Sequence, residues 1–175
     1  YTYIQPLLTE VAGFAESAVS PILLVFGVGM IVGNLLGGKF ADRSLMPALL
    51  GTLATLTLVM GLMTFALHSQ WAMVLFVGLL GAAAFATVSP LQLWVLQKAE
   101  GAQSLASSLN IGAFNLGNAF GAWLGGAVIM HGAGLGALTW VGALVPLSAL
   151  LVALYSVSLQ KRSDRLLVAA ESNAA

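Results

Sequence analysis

Residues 37–44 read GGKFADRS, and three of the few charged residues of the chain lie within this stretch. The whole chain has 175 residues and is 59% hydrophobic but only 7% charged. A soluble domain carries about 25% charged residues, which it needs to cover its surface. The charged stretch separates two apolar segments, at about 18–38 and 45–67, and each is close to the roughly 20 residues that cross the hydrocarbon of a bilayer. This pattern predicts an all-α membrane protein.

Further apolar segments follow at about 71–96, 105–130 and 135–159. The first of these is longer than a straight span requires, and its Ser89-Pro90 pair is a predicted kink. Pro146 is predicted to interrupt the last segment, while Pro47 falls in the first turn of its helix, where proline costs no hydrogen bond. Together the segments predict five complete spans.

The two ends of the chain differ from the spans. Residues 1–8 are apolar, but as a helix they would cover only about 12 Å. We interpret them as the end of a further span, and we expect the chain to begin inside a larger protein because no signal peptide precedes them. The predicted organisation is a transmembrane bundle over residues 1–160 and a polar cytoplasmic tail over residues 161–175.

The basic residues predict the orientation, because lysine and arginine near span ends are retained on the cytoplasmic side. All six would lie on one side of the membrane under the predicted spans: Lys39, Arg43, Lys98, Lys161, Arg162 and Arg165. The loops of the opposite side hold Glu10, Glu16, His68 and His131. The C-terminus is therefore predicted to be cytoplasmic.

Glycines at four-residue spacing occur in two spans, and such series permit close helix packing in a bilayer. They are Gly29, Gly33 and Gly37 in the second span, and Gly117, Gly121 and Gly125 in the fifth. Residues 33–37 read GNLLG and residues 117–121 read GNAFG. Each lies in the middle of a three-helix group, and the two groups run in opposite directions, which favours an inverted 3+3 repeat typical of secondary transporters. The series are packing seams that could also slide during transport.

Amides are the polar groups of interest within the spans, since no ionisable side chain lies well inside one. An unpaired amide in hydrocarbon costs several kcal/mol, so each should face protein or a wet cavity. Asn110 lies near the glycine face of its helix and is predicted to bond between helices, whereas Asn115 and Gln92 are candidates to line a substrate cavity. Tyr3 and Gln5 are candidates as well, with an interfacial anchor as the alternative.

Several function classes find no support in the composition. The chain has no cysteine, its two histidines are far apart, and its net charge is zero. These features predict no metal site, no cofactor and no nucleic-acid footprint. A membrane-embedded enzyme would need a nucleophile, an acid or a metal, and the spans offer no carboxylate, cysteine or histidine for such a site.

The stretch Gly38-Lys-Phe-Ala-Asp42-Arg43 resembles the G-x-x-x-D-R signature of major facilitator superfamily transporters. Other segments resemble one branch of that family, the proton-linked drug and sugar efflux permeases of the arabinose-efflux type. These segments are YTYIQPLL at the start, SPLQLWVLQ at 89–97 and SLNIGAFNLGNAFGAWLGGAVI at 108–129. The chain departs from the full signature after Asp-Arg, where Ser44-Leu45-Met46-Pro47 replace a glycine and two basic residues.

The resemblance implies that the chain is the C-terminal half of a twelve-helix transporter, from the end of helix 7 through helix 12. It implies a gating role for Gly38, Asp42 and Arg43 in a cytoplasmic loop, with the partner helix of Asp42 in the N-terminal half. A negative charge is favoured at a helix N-terminus, so Asp42 could hold the two halves together in one state and release them in another. The alternative is a polar turn that only sets orientation.

The function expected from the resemblance is proton-coupled efflux of small organic solutes, such as sugars, nucleosides or drugs, across a bacterial inner membrane. The energy source would be the proton gradient, and the proton-binding residue would lie in the N-terminal half. A facilitator or symporter that imports sugars or nucleosides on the same fold is the alternative, and a non-transport membrane subunit is a remote one. The residues leave open the substrate, the direction, the coupling ion and the oligomeric state.

Overall fold

The structure is a computed structural model that describes the backbone of residues 2–174 and the side chains of residues 2–160 and 162. All of its regular elements are helical. In chain order they are α1 (Ile4–Pro6), a π-helical turn (Leu7–Val11), α2 (Glu16–Arg43), α3 (Leu45–Ala66), α4 (Gln70–Ala86), α5 (Val88–Lys98), α6 (Gln103–Met130) and α7 (Ala137–Ala174).

The predicted spans correspond closely to these helices. Among the described residues, four helical segments are long and apolar enough to cross a membrane: Glu16–Arg43, Leu45–Ala66, Gln70–Lys98 and Ala137–Gln160. The remaining predicted span, α6, has the required length with 28 residues, but its three asparagines make it more polar than the other four. The polar helix of the bundle is therefore also the one that carries most of the candidate site.

The stretch GGKFADR is helical, which corrects the prediction that it forms a loop. α2 continues through Arg43, and Ser44 alone connects it to α3 in an extended conformation (φ −162°, ψ 103°). The Ser44 amide donates to the Phe40 carbonyl at 3.1 Å, and the Ser44 carbonyl accepts from the Ala48 amide at 3.1 Å. Because one residue closes the last turn of α2 and opens the first turn of α3, no longer loop is required.

The two prolines of the later spans behave differently. Pro90 has no N–H for the Ala86 carbonyl, and the helix is interrupted at Thr87, three residues before the predicted kink. Pro146 does not interrupt α7, so that prediction was wrong. The residue four before it is Gly142, which lies against Met60 of α3. Proline is tolerated inside membrane helices, and α7 continues through this position.

α2 and α4 run parallel to each other and pack through small residues. A methyl group built on Gly29, Gly33 or Gly37 would lie under 3.0 Å from a backbone oxygen of α4. The facing residues are Gly78, Ala82 and Ala86, which have the same four-residue spacing. Gly81 makes the reciprocal approach to the Phe26 carbonyl. With no side chain between them, the two backbones approach closely enough to gain dispersion energy along the whole seam.

The buried core lies at the end of the bundle where α2 and α4 begin. Leu8 of the π-helical turn, Met73 and Val77 are fully buried there, with Ile22 and Phe26 of α2 beside them. The short N-terminal segment thus closes one end of the bundle. The opposite end, where α2 and α5 finish, carries basic residues and polar contacts instead.

Candidate functional site

Polar side chains connect α5 to α2 just after the Thr87 interruption. The Ser89 hydroxyl donates to Asn34 Oδ1 at 3.1 Å. Asn34 is exposed and lies one residue after the seam glycine Gly33. The contact joins α2 to α5, which follows the interruption at Thr87. A change in the angle between α4 and α5 would therefore either break this hydrogen bond or move Asn34 together with Ser89.

Gln92 connects α5 to α6. It follows Ser89 by three residues, about 60° around the helix, so the two side chains lie on one face of α5. Its Nε2 donates to Ser107 Oγ at 2.8 Å, and its Oε1 accepts from Asn110 Nδ2. Both ends of the Gln92 amide are therefore used between helices. Asn110 thus bonds from α6 to an amide of α5.

Tyr3 contacts α6 near its other end. The Tyr3 hydroxyl donates to the Ala122 carbonyl at 2.7 Å. Its ring lies against Gly125, where a built methyl group would fall under 3.0 Å from the ring carbons. A glycine at this position is what allows the phenol to reach the helix backbone. α6 is thus held by side-chain contacts at two levels, to Gln92 and to Tyr3.

Two asparagines lie between these levels, close to the midpoint of α6. At about 100° per residue, Asn118 is within about 20° of both Ser107 and Gly125, and Asn115 is within about 20° of Ala122. Both asparagines are exposed, and neither bonds to another described residue. Asn118 therefore presents a free side-chain amide on the face that contacts α5 and Tyr3. Asn115 presents a second one about 60° further around the helix and about 140° from Asn110.

The glycines of the predicted gating motif lie against the α4–α5 junction. Gly37 faces Ala86, the last residue of α4, and Gly38 faces the Ser89 hydroxyl, with a built methyl group 3.9 Å from it. One turn further on, Asp42 and Arg43 are exposed and form no ion pair or hydrogen bond with the described residues. The glycines of the motif are therefore packed against the α4–α5 junction, whereas its two charged residues at the end of α2 are exposed and unpaired among the described residues.

The remaining predicted positions are open. A methyl group built on Gly117 or Gly121 meets nothing within 4 Å among the described residues, so only Gly125 of the second glycine series has a close neighbour. Gln5 is exposed, and its side-chain amide bonds to no described residue, although its carbonyl accepts from the Thr9 hydroxyl at 3.1 Å. The structure therefore brings Tyr3, Gln92 and Asn110 into contact with α6 or α5, and leaves Gln5 and Asn115 free.

The chemistry of this face is neutral hydrogen bonding. Its side chains are amides, hydroxyls and a phenol, which can both donate and accept. The described residues contain no group of three metal-ligating side chains. Such a face can bind a polar solute without a net charge, and it holds no group that would form a covalent bond with one.

Sequence reasoning missed two residues of the face, Ser89 and Ser107, and identified Asn34 and Asn118 only as notable amides without a role. Asn34 and Asn118 stand out as amides in apolar spans, but their partners cannot be inferred from spacing. Ser89 and Ser107 each lie three residues before an amide that was identified, Gln92 and Asn110 respectively. A search for hydroxyls at helical spacing from each candidate amide would have found both.

Comparison with known proteins agrees with this architecture. The family model described as Major Facilitator Superfamily matches residues 1–172. The Inner membrane transport protein YdhP of Escherichia coli (strain K12) is 43% identical over 160 residues, which cover 91% of this chain and 41% of the relative. The MFS-type transporter YtbD of Bacillus subtilis (strain 168) is 37% identical over 166 residues, covering 93% of this chain and 42% of the relative.

A further relative carries a substrate in its name. The "Probable sugar efflux transporter" of Helicobacter acinonychis (strain Sheeba) is 31% identical over 151 residues, which cover 86% of this chain and 38% of the relative. The chain thus spans about 40% of the length of the relatives it matches. Since the family model covers nearly the whole chain, the protein belongs to the Major Facilitator Superfamily, a family of membrane transporters and not of enzymes.

Proposed function

We propose that the chain is the C-terminal half of a secondary transporter that exports a small neutral organic solute from a bacterial cell. The transporter would lie in the inner membrane and work by alternating access between this half and an N-terminal half. The positive-inside pattern supports a cytoplasmic C-terminus. The family match and the names of relatives that include inner membrane transport and sugar efflux support the class of activity.

The observation that carries the proposal is the pair of free amides at the middle of α6. Asn115 and Asn118 lie near the membrane midplane if α6 spans the bilayer, which is where secondary transporters place their substrates. Unpaired amides are costly in hydrocarbon, so each of the two must face protein, water or a hydrogen-bonding solute. Gln92, Tyr3 and Gln5 would complete the wall, and a sugar or another hydroxylated solute suits their donors and acceptors.

The gate would be the end of α2. Gly37 and Gly38 rest on the α4–α5 junction, so movement of α5 is transmitted to the turn that bears Asp42 and Arg43. These two side chains have no partner among the described residues, and we expect Asp42 to bind the N-terminus of a helix in the other half when the cytoplasmic side is closed. A contact made in only one state shifts the equilibrium between states.

The energy source would be the proton gradient. A proton site inside the membrane needs an ionisable side chain, and the spans of this chain hold none well inside the bilayer. The proton-binding carboxylate is therefore expected in the N-terminal half. Coupling would then run through the interface between the two halves.

The test is solute flux in everted membrane vesicles that contain the complete transporter. We expect labelled sugar or nucleoside to accumulate in everted vesicles and to stop accumulating when the proton gradient is dissipated. In Asn115→Ala we expect the rate of accumulation to fall about tenfold. The matched control is Ser108→Ala on the same helix, because the Ser108 hydroxyl bonds only to the Ser104 carbonyl of its own turn at 3.1 Å.

Two outcomes would contradict the proposal. Flux inward down a gradient in right-side-out vesicles, insensitive to protons, would instead support the facilitator. Equal flux in Asn115→Ala and Ser108→Ala would mean that the middle of α6 does not contact the transported solute.

A further inference from the structure

A cleft of about 460 Å³ lies between α2, α3 and α4, near the end of the bundle where α2 finishes. It is separate from the amide face, and its wall is almost entirely apolar. Apolar residues from all three helices line it, among them Leu36, Phe40, Pro47, Gly51, Val59 and Leu79. Volumes of this size are typical of sites for small organic ligands.

The two threonine hydroxyls in the interior wall of the cleft already have hydrogen-bond partners. The Thr52 hydroxyl donates to the Leu49 carbonyl at 3.1 Å, and the Thr55 hydroxyl donates to the Gly51 carbonyl at 2.8 Å. Each bond is to a carbonyl of the same helix, so neither hydroxyl points a free donor into the cleft. The interior is thus suited to hydrocarbon, and it offers nothing to orient a polar solute.

The mouth of the cleft has the opposite character. Arg43 and Ser44 line it, and neither bonds to another described residue through its side chain. Lys39 lies one turn before Arg43 on the same side of α2 and is also exposed. A guanidinium binds the oxygens of a phosphate in a bidentate geometry, and a serine hydroxyl can donate to a third oxygen. Charge complementarity therefore calls for an anion at the mouth of a hydrocarbon cleft.

We propose that this cleft binds one acidic glycerophospholipid of the surrounding membrane, with an acyl chain along α2 and α3 and the phosphate at Arg43 and Ser44. Basic pockets between membrane helices are suited to such head groups. The site extends beyond the transport function and depends only on the chain lying in a bilayer. The lipid would fill the space that α2 and α3 leave between them and fix the helix end that carries Asp42.

The experiment uses the complete transporter, purified with either dioleoylphosphatidylglycerol or dioleoylphosphatidylcholine, and counts retained lipids by native mass spectrometry. The two lipids share acyl chains and differ in head-group charge. We expect one phosphatidylglycerol to be retained in preference to phosphatidylcholine. Arg43→Gln should lower its retention about fivefold, which is the effect of about 1 kcal/mol per basic residue at a membrane surface. Lys98→Gln, a basic residue outside the cleft, should leave it unchanged.

A second variant tests the hydrocarbon part of the site. Gly51 lines the cleft and a methyl group built on it meets nothing within 4 Å, so the side chain of Gly51→Phe can start into the cleft and occupy part of its volume. We expect it to abolish the preference for phosphatidylglycerol. Gly61→Phe is the matched control, because Gly61 lies on the same helix, is equally unobstructed and does not line the cleft.

A third measurement needs no variant and does not depend on how well a variant folds. A phosphatidylglycerol with a diazirine on one acyl chain should label α2 and α3 at the cleft, including Phe40 and Gly51. Equal retention of the two lipids by the natural protein would overturn the proposal, and so would equal effects of Gly51→Phe and Gly61→Phe. Labelling that leaves α2 and α3 unmarked at the cleft would overturn it as well.

Discussion

The glycine series of α2 and α6 have the same four-residue spacing but different surroundings. Gly29, Gly33 and Gly37 lie against the α4 backbone along three turns, whereas Gly117 and Gly121 have no neighbour within 4 Å among the described residues. A four-residue glycine spacing therefore permits two helix backbones to approach closely, but the approach occurs only where a second helix also presents small residues. α4 supplies it through Gly78, Ala82 and Ala86, and α6 is held by polar contacts instead.

The largest effect is expected from Gly33→Leu. A side chain at this position would enter the space occupied by the Ala82 backbone, which cannot move without separating α2 from α4. We expect a loss of about 3 kcal/mol or more in the free energy of unfolding, or failure to accumulate in the membrane. The measurement is the thermal unfolding of the purified protein, with Gly27→Leu as control.

Gly27 is on the same helix, and a methyl group built there meets nothing within 4 Å. Leucine at Gly27 should therefore cost little. If Gly33→Leu and Gly27→Leu lowered the free energy of unfolding equally, the close contact of Gly33 with the α4 backbone would contribute no more to stability than an open position on α2.

A moderate effect is expected where α6 relies on polar contacts. Removing either amide of the Gln92–Asn110 pair leaves the other without its partner. In a double-mutant cycle of Gln92→Leu and Asn110→Leu we expect a coupling energy of about 1 kcal/mol, the usual size for interhelical hydrogen bonds in membranes. The cycle is measured on the unfolding free energy, and Ser108→Ala serves as a change that leaves the pair intact. A coupling energy near zero would mean that the pair does not hold α6 to α5.

Much of the fold could be predicted from the sequence, because a bilayer imposes length and apolar composition on each helix. The predicted segment 45–67 is nearly the observed Leu45–Ala66. The ends were less accurate where charged residues continue a helix, since Glu16 and the stretch from Lys39 to Arg43 look like loop residues by composition but have helical backbones. Pro146 shows the same limit from the other side, because a proline resembles a helix break by composition, yet α7 continues through it.

The candidate site was less predictable. The spacing of the α2 glycines indicated a seam, but alanines are too common in apolar spans to identify Ala82 and Ala86 as partners. For Asn110, helical geometry gave a side of the helix, while the partner Gln92 depends on how α5 turns after Thr87. That turn results from a missing backbone donor at Pro90, whose direction is set by tertiary contacts.

The smallest effect is expected from Gly117→Ala. The added methyl group meets nothing within 4 Å, so the change should alter the free energy of unfolding by less than about 0.5 kcal/mol or raise it slightly, since alanine has the higher helix propensity. Gly33→Ala is the matched comparison and should cost several times more, because its methyl group would lie under 3.0 Å from the Ala82 carbonyl. Both are measured by thermal unfolding of the complete transporter. A cost for Gly117→Ala as large as that of Gly33→Ala would mean that the α6 series also has a close partner. That partner would lie outside the described residues, and the proposed N-terminal half is where we expect it.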